Sequence, residues 1–123
     1  MGIFEKLVWA VVFGVLAISS ARADGWTTND TKREVAYLAL HTMDWSQTRY
    51  IAKHPEYYEQ NSHLGKHPTV AQVNAYFASM ALAHIGVAYL LPADWRHGFQ
   101  YVTIGVELGW VTHNASIGIK MDF

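Results

Sequence analysis

"FQYVTIGVELGWVTHNASIGIKMDF", running from Phe99 to Phe123, decides the fold because it satisfies two periodicities at once. At 3.6 residues per turn, Thr103, Glu107 and Asn114 recur at spacings of four and seven, and Gly105 and Gly109 form a G-x-x-x-G pair on another face. At two residues per repeat, Val102, Ile104, Val106 and Leu108 face one way while Thr103, Gly105, Glu107 and Gly109 face the other. Ile117, Ile119, Met121 and Phe123 resume that alternation after the turn-like Thr112–Ser116. The helix is the preferred reading, with Ser116 to Phe123 as an extended tail. A two-stranded hairpin alone is marginal. The terminal Phe suits the last strand of an outer-membrane barrel, but too little chain lies upstream for the roughly eight strands such a barrel needs. The helical reading makes the protein all-α; the hairpin reading makes it α+β.

Working back from this segment, "PADWRHG" (Pro92 to Gly98) reads as a short turn. Before it, Val70 to Leu91 is apolar, free of formal charge, and long enough for a bilayer span of about 20 residues; Thr69 can cap its start and Pro92 stops it. Lys53 to Pro68 holds two Pro, one Gly and three His, and reads as a loop with one helical turn near Tyr57. Lys32 to Ala52 contains neither Gly nor Pro and reads as a helix, with Asn29 or Asp30 as its cap. The first residues follow a secretory leader pattern: Lys6 as positive flank, an apolar run from Leu7 to Ile18, and the small-x-small site Ala21-Arg22-Ala23. Residues 1–23 are therefore expected to be a signal peptide and 24–123 one helical membrane domain, a bundle of about three helices.

Composition narrows the function. With 9 Lys and Arg against 10 Asp and Glu, the net charge is near zero, which offers no basic footprint for nucleic acid. Cysteine is absent, so disulfides and thiolate metal sites are excluded.

The apolar helices carry more polarity than a lipid-facing surface allows. Tyr37, His41, Asp44 and Thr48 share one stripe of the first helix, and Thr103, Glu107 and Asn114 one stripe of the last. The middle helix offers Asn74, Ala78, Ala81 and Ala88 on a small-residue face, with His84 at its edge. At about 1.5 Å of rise per residue, His41, Asp44, His84 and Glu107 fall in the middle third of a bilayer. Ionisable groups at that depth face the bundle interior and find partners. The expected site is thus a polar intramembrane seam of His41, Asp44, Thr48, Asn74, His84, Glu107 and Asn114.

Such a seam serves as interhelical hydrogen bonding, as a proton or ion relay, or as a divalent metal site. For the last, His41, Asp44, His84 and Glu107 are the candidate ligands, of types that suit zinc or iron. Ser46 and Ser79 lack a nucleophile motif, so no catalytic residues are assigned. The loop histidines His54, His63 and His67 have no metal-ligand spacing. Trp95 suits an interfacial aromatic belt, and Trp45 and Trp110 suit packing or lipid contact. Arg49, Lys53, Lys66 and Lys120 against Lys32, Arg33 and Arg96 give a slight positive-inside bias, with the loop side cytoplasmic.

"DWSQT" (Asp44 to Thr48), followed by "YEQNSHLGKHP" (Tyr58 to Pro68) and then an apolar helix, resembles a group of small, uncharacterised multi-span membrane proteins of bacteria and their phages. The loop motif is Glu59, Asn61, Leu64, Gly65 and Pro68; Ser62 stands where that group usually has Pro. The resemblance covers Asp44 to Leu91 and implies a multi-span helical membrane protein without indicating an activity. The expected protein is an integral membrane component of the bacterial inner membrane with a structural or interaction role: an assembly partner, or an envelope effector such as a phage lysis or exclusion factor. The bilayer and a second membrane protein or a second copy of the chain are its partners. A transporter-like protein using the seam is the alternative from another class, and a soluble periplasmic α+β domain is the non-membrane alternative.

Overall fold

A computed structural model of the chain describes residues 25–123, together with residues 2, 3, 5–10 and 13. The Ala21-Arg22-Ala23 cleavage site lies outside the described residues. Three helices make up the body: α1 (Thr28–Lys53), α2 (Val70–Leu90) and α3 (Ala93–Ser116). Residues 5–10 are also helical, and Leu7 and Val8 pack against the cluster of Trp45, Val73, Phe77 and Ala78. No strand occurs among the described residues, so the fold is all-α and the hairpin alternative is overturned. The physical reason lies in α3 itself. Only a helix stacks Arg96, Gln100, Thr103, Glu107 and Asn114 along one side, where each meets a partner on another helix or at its end.

Local chemistry sets the helix ends. Thr27, not Asn29 or Asp30, caps α1. Its hydroxyl accepts from the Asp30 N–H (3.2 Å), and the Asp30 carboxylate accepts from the Thr27 N–H (2.8 Å), a complete capping box. Thr69 and Gln72 repeat the arrangement on α2. The expected turn between α2 and α3 is far shorter than Pro92 to Gly98. Pro92 sits at the N-cap and the helix starts at Ala93, where a missing N–H costs nothing. At the far end, Gly118 (φ +89°) takes the left-handed position and donates to the Ala115 carbonyl (3.2 Å), and the Ile119 N–H reaches the Asn114 carbonyl (3.0 Å). This Schellman ending turns the chain back under α1.

α1 lies in the middle. It packs most extensively on α3, next on α2, while α2 and α3 touch little. The tail Ile117–Phe123 has no regular structure, as expected, but it is tied down. Ile119 is buried, the Asp122 N–H donates to the Ser46 carbonyl (3.1 Å), and Arg49 Nε donates to the Asp122 carbonyl (3.1 Å). Lys53 adds an ion pair to the Asp122 carboxylate (2.8 Å). Truncation after Gly118 is expected to lower stability by about 2–3 kcal/mol, the value of one buried Ile side chain, with helix content retained. Thermal unfolding followed by circular dichroism measures this; an unchanged midpoint would show that the tail only lies against the bundle.

Candidate functional site

The interior of the bundle is polar along its whole length, and it divides into two layers. The first lies at the α2–α3 corner and is built on Arg96, which is almost fully buried. Arg96 Nε donates to the Ala88 carbonyl (2.7 Å) and an Nη to that of Leu91 (2.9 Å), so it satisfies the last carbonyls of α2. Its other Nη reaches the Asp30 carboxylate of the α1 capping box (3.2 Å), and its guanidinium lies over the Trp26 ring (4.8 Å). Arg33 also pairs with Asp30. Gln100 donates to the Asp30 carbonyl (3.1 Å) and to Glu34 (2.9 Å), and accepts from Arg33 (2.9 Å). Glu34 in turn meets His84 Nδ1 at 2.6 Å, and His84 Nε2 meets the Thr103 hydroxyl at 2.7 Å.

The second layer is centred on His41. Its Nε2 faces the Phe77 carbonyl (2.8 Å) and its Nδ1 the Glu107 carboxylate (2.9 Å), with the Tyr37 hydroxyl at 3.3 Å. A carbonyl only accepts, so Nε2 carries a hydrogen. The Nδ1 contact with a carboxylate then also needs a proton, held by either partner. The same argument holds for His84 with the Thr103 hydroxyl donating back to the Phe99 carbonyl (2.9 Å). Each His–carboxylate dyad therefore shares one proton across its Nδ1 contact, in addition to the one on Nε2, and is neutral as a pair. Tyr37 joins the layers by stacking, its ring 3.5 Å from His84 and 5.3 Å from His41 between centroids. No hydrogen bond runs from His84 to Tyr37 among the described residues, so the two layers communicate through ring contact.

Asp44 stands beside Glu107 and accepts from Thr48 and from Asn114 Nδ2 (3.3 Å). Asn114 also donates to Gln47 (3.2 Å), whose own Nε2 donates to the Val111 carbonyl (3.1 Å). Asn74 turns to the opposite side of α1, where its oxygen accepts from Trp45 Nε1 and Arg49 (both 2.9 Å). All seven residues expected in the seam thus face the interior. They do not form one cluster: His41, Asp44, Thr48, Glu107 and Asn114 adjoin, while His84 belongs to the Arg96 layer and Asn74 to the Trp45 side. His41, Asp44, His84 and Glu107 do not converge as metal ligands. Among the described residues no three His, Asp or Glu side chains take up a ligating arrangement.

The loop motif folds over the second layer. The Asn61 side chain accepts from the His63 N–H (3.0 Å), and its carbonyl accepts from Leu64 (3.0 Å) and Gly65 (3.1 Å). Glu59 takes the Asn61 N–H (3.0 Å) on its carboxylate, and its own N–H reaches the Lys66 carbonyl (2.8 Å). Gly65 holds φ +79°, a conformation that favours glycine. Leu64 packs on the Trp45–Phe77 cluster and Pro68 is buried. Two adjoining cavities, of about 250 and 270 Å³, lie where this turn meets the helices; Asp44, Asn61, Phe77 and Trp110 line both.

Sequence reasoning missed Asp30, Glu34, Gln47, Arg49, Arg96 and Gln100, all buried. The signal was present. Continuing the α1 stripe upstream from Tyr37 at steps of three and four reaches Glu34 and Asp30, and continuing that of α3 upstream from Thr103 reaches Gln100 and Arg96. Arg96→Met is expected to destabilise the purified protein by about 3–5 kcal/mol, since it leaves two helix-end carbonyls without their side-chain donor and the buried Asp30 without one of its two guanidinium partners. Arg96→Lys is expected to recover only part of that loss, because one ammonium cannot span all three acceptors. Chemical denaturation of both variants is the check, and equal stability of Met and wild type would dismiss the corner as a hub. No protein-family model, curated protein or solved structure matches the chain.

Proposed function

We propose that the chain is a small integral membrane protein of the bacterial inner membrane, with α1, α2 and α3 crossing the bilayer around a polar interior and a structural or interaction role in the envelope. The observation that carries this reading is the inverted distribution of polarity. Within residues 25–123, the exposed charged and histidine side chains fall at the two ends: Lys32, Asp94 and His97 at the α2–α3 corner, and Lys53, Glu56, His63, Lys66, His67, His113 and Lys120 at the loop end. Between them the exposed surface is uncharged and includes Val35, Ala39, Met80, Leu82, Val87, Val102, Val106 and Leu108. Asp30, Glu34, Arg49 and Arg96 are buried instead. A soluble bundle places its charges the other way round.

Only α2 among the described helices is long and apolar enough to span by composition. The charges of α1 and α3 lie inside the bundle or at the helix ends, where spanning helices tolerate them. The interior hydrogen bonds then act as glue, worth about 0.6 kcal/mol each in a membrane. Trp95, exposed at the corner, supports an interfacial position there.

Alkaline carbonate washing is expected to leave the protein in the membrane pellet, and a reporter fused after Phe123 to read out on the cytoplasmic side. Release into the supernatant would instead support a soluble periplasmic bundle. A second reading, a proton relay, is favoured by the two proton-holding dyads. Vesicles loaded with a pH-sensitive dye test it: the wild type should carry protons faster than Tyr37→Phe, which removes the hydroxyl beside His41 and keeps the stack. Wild-type flux no greater than that of protein-free vesicles would end this second reading.

A further inference from the structure

We propose that the turn of residues 59–66 is a proton-controlled lid: it rests on the His41 layer while the Asp44–Glu107 carboxyl pair shares a proton, and lifts when that proton is lost. A difference between the two layers motivates this. Glu34 has a neighbour for each oxygen, His84 at Oε1 and the Gln100 amide at Oε2. Glu107 meets His41 at Oε1, but its Oε2 is buried with no amide, hydroxyl or N–H donor among the described residues. Where the first layer has an amide, the second has the Asp44 carboxyl, hydrogen-bonded to Glu107 and lining the same cavity of about 250 Å³. An amide always carries hydrogens to donate, whereas a hydrogen bond between two carboxyl groups needs a proton on one of them. One proton therefore joins Asp44 to Glu107, beyond those of the His41–Glu107 dyad.

The ionisable groups that face this pair are Tyr37 and His41 of α1, Tyr76 of α2 and Glu59 of the loop. Loss of the proton leaves two carboxylates in contact and a third, Glu59, on the wall of the adjoining cavity of about 270 Å³ that Asp44 also lines. Like charges so placed repel, and attachment decides which part yields. At this level α1 and α3 are joined by the bonds from Asn114 to Gln47 and from Gln47 to the Val111 carbonyl, and α1 and α2 by that from Trp45 to Asn74. Glu59 bonds instead to Asn61 and Lys66 within its own turn, which Leu64 seats on the bundle by apolar contact. The turn is thus the most weakly attached of the charged parts. The closed form holds a proton that the open form gives up, so closure is favoured at low pH and opening as pH rises. The proposal needs neither the bilayer nor the relay reading, since the turn and the carboxyl pair belong to the bundle in either environment.

The chain has no cysteine, so Ser62→Cys, at an exposed position of the turn, provides a single site for a nitroxide label. Electron paramagnetic resonance of the labelled full chain in a non-ionic detergent tests the proposal. The label is expected to become at least twofold more mobile, reversibly, between about pH 5 and about pH 10, a range that covers carboxyl groups sharing a proton as well as histidine. Asp44→Asn puts an amide where the shared proton was, as Gln100 does at Glu34, and should hold the label in its low-pH state throughout. Glu59→Gln keeps an acceptor for the Asn61 N–H but removes the repelled charge. It should at least halve the change, and it decides the matter alone if Asp44→Asn fails to fold. The loop histidines His54, His63 and His67 titrate in both variants, so a change that survives in full in either one belongs to them and overturns the proposal. A label equally mobile at both ends of the range would overturn it as well.

Discussion

Arg96 is the constraint on which the rest of the bundle depends. One guanidinium closes the end of α2, reaches the capping box of α1 and belongs to the first turns of α3. Without it, three sets of buried polar groups at one corner would lack a common donor. Its position fixes the register between α1 and α3, and the layers below follow at helical spacing: Gln100 meets Glu34, Thr103 meets His84, Glu107 meets His41, and Asn114 meets Gln47 and Asp44. A buried ion pair is weak evidence for stability, but it selects one arrangement among several, because a slipped register would leave charges unpaired.

That ladder also explains the unusual order of packing. α2 and α3 are consecutive and joined by the shortest connection, yet they touch least. α2 presents mainly small residues inward, Ala78, Ala81 and Ala88, with Asn74 and His84 between them. Arg96 and Thr103 of α3 reach the end of α2 and His84, but Gln100, Glu107 and Asn114 find their partners on α1. The polar partners decide which helices close up, and the space left between α2 and α3 is the cavity beside Glu107. Gly105 and Gly109, which the sequence offers as a close-packing pair, have no neighbour among the described residues within reach of an added Cβ. The contact between α1 and α3 is made by the polar stripe on the other face.

The loop is held by the same kind of local satisfaction. Glu59, Asn61 and Gly65 are a turn whose hydrogen bonds are all local, while Leu64 and Pro68 anchor it to the bundle. The turn needs no ligand to hold its shape, and it places Asn61 at the mouth of the second layer. The motif that the sequence offers as a signature is thus a structural closure over the His41 layer.

Three helices, the approximate limits of the first two, the Thr69 cap, the stop at Pro92 and the inward stripes were legible in the sequence, since each rests on local chemistry: charge-free length, capping residues, and repetition at three and four. The choice of helix over hairpin from Phe99 onward was not settled locally, because a 3.6-residue and a two-residue repeat both fit that segment. Tertiary structure decided it by giving Arg96, Gln100, Thr103, Glu107 and Asn114 partners that only a helix can reach. The same holds within the site. Sequence identified His41, Asp44, Thr48, Asn74, His84, Glu107 and Asn114 as inward-facing. It did not divide them between layers or pair His84 with Glu34 and His41 with Glu107, because pairing depends on the register between helices far apart in the chain.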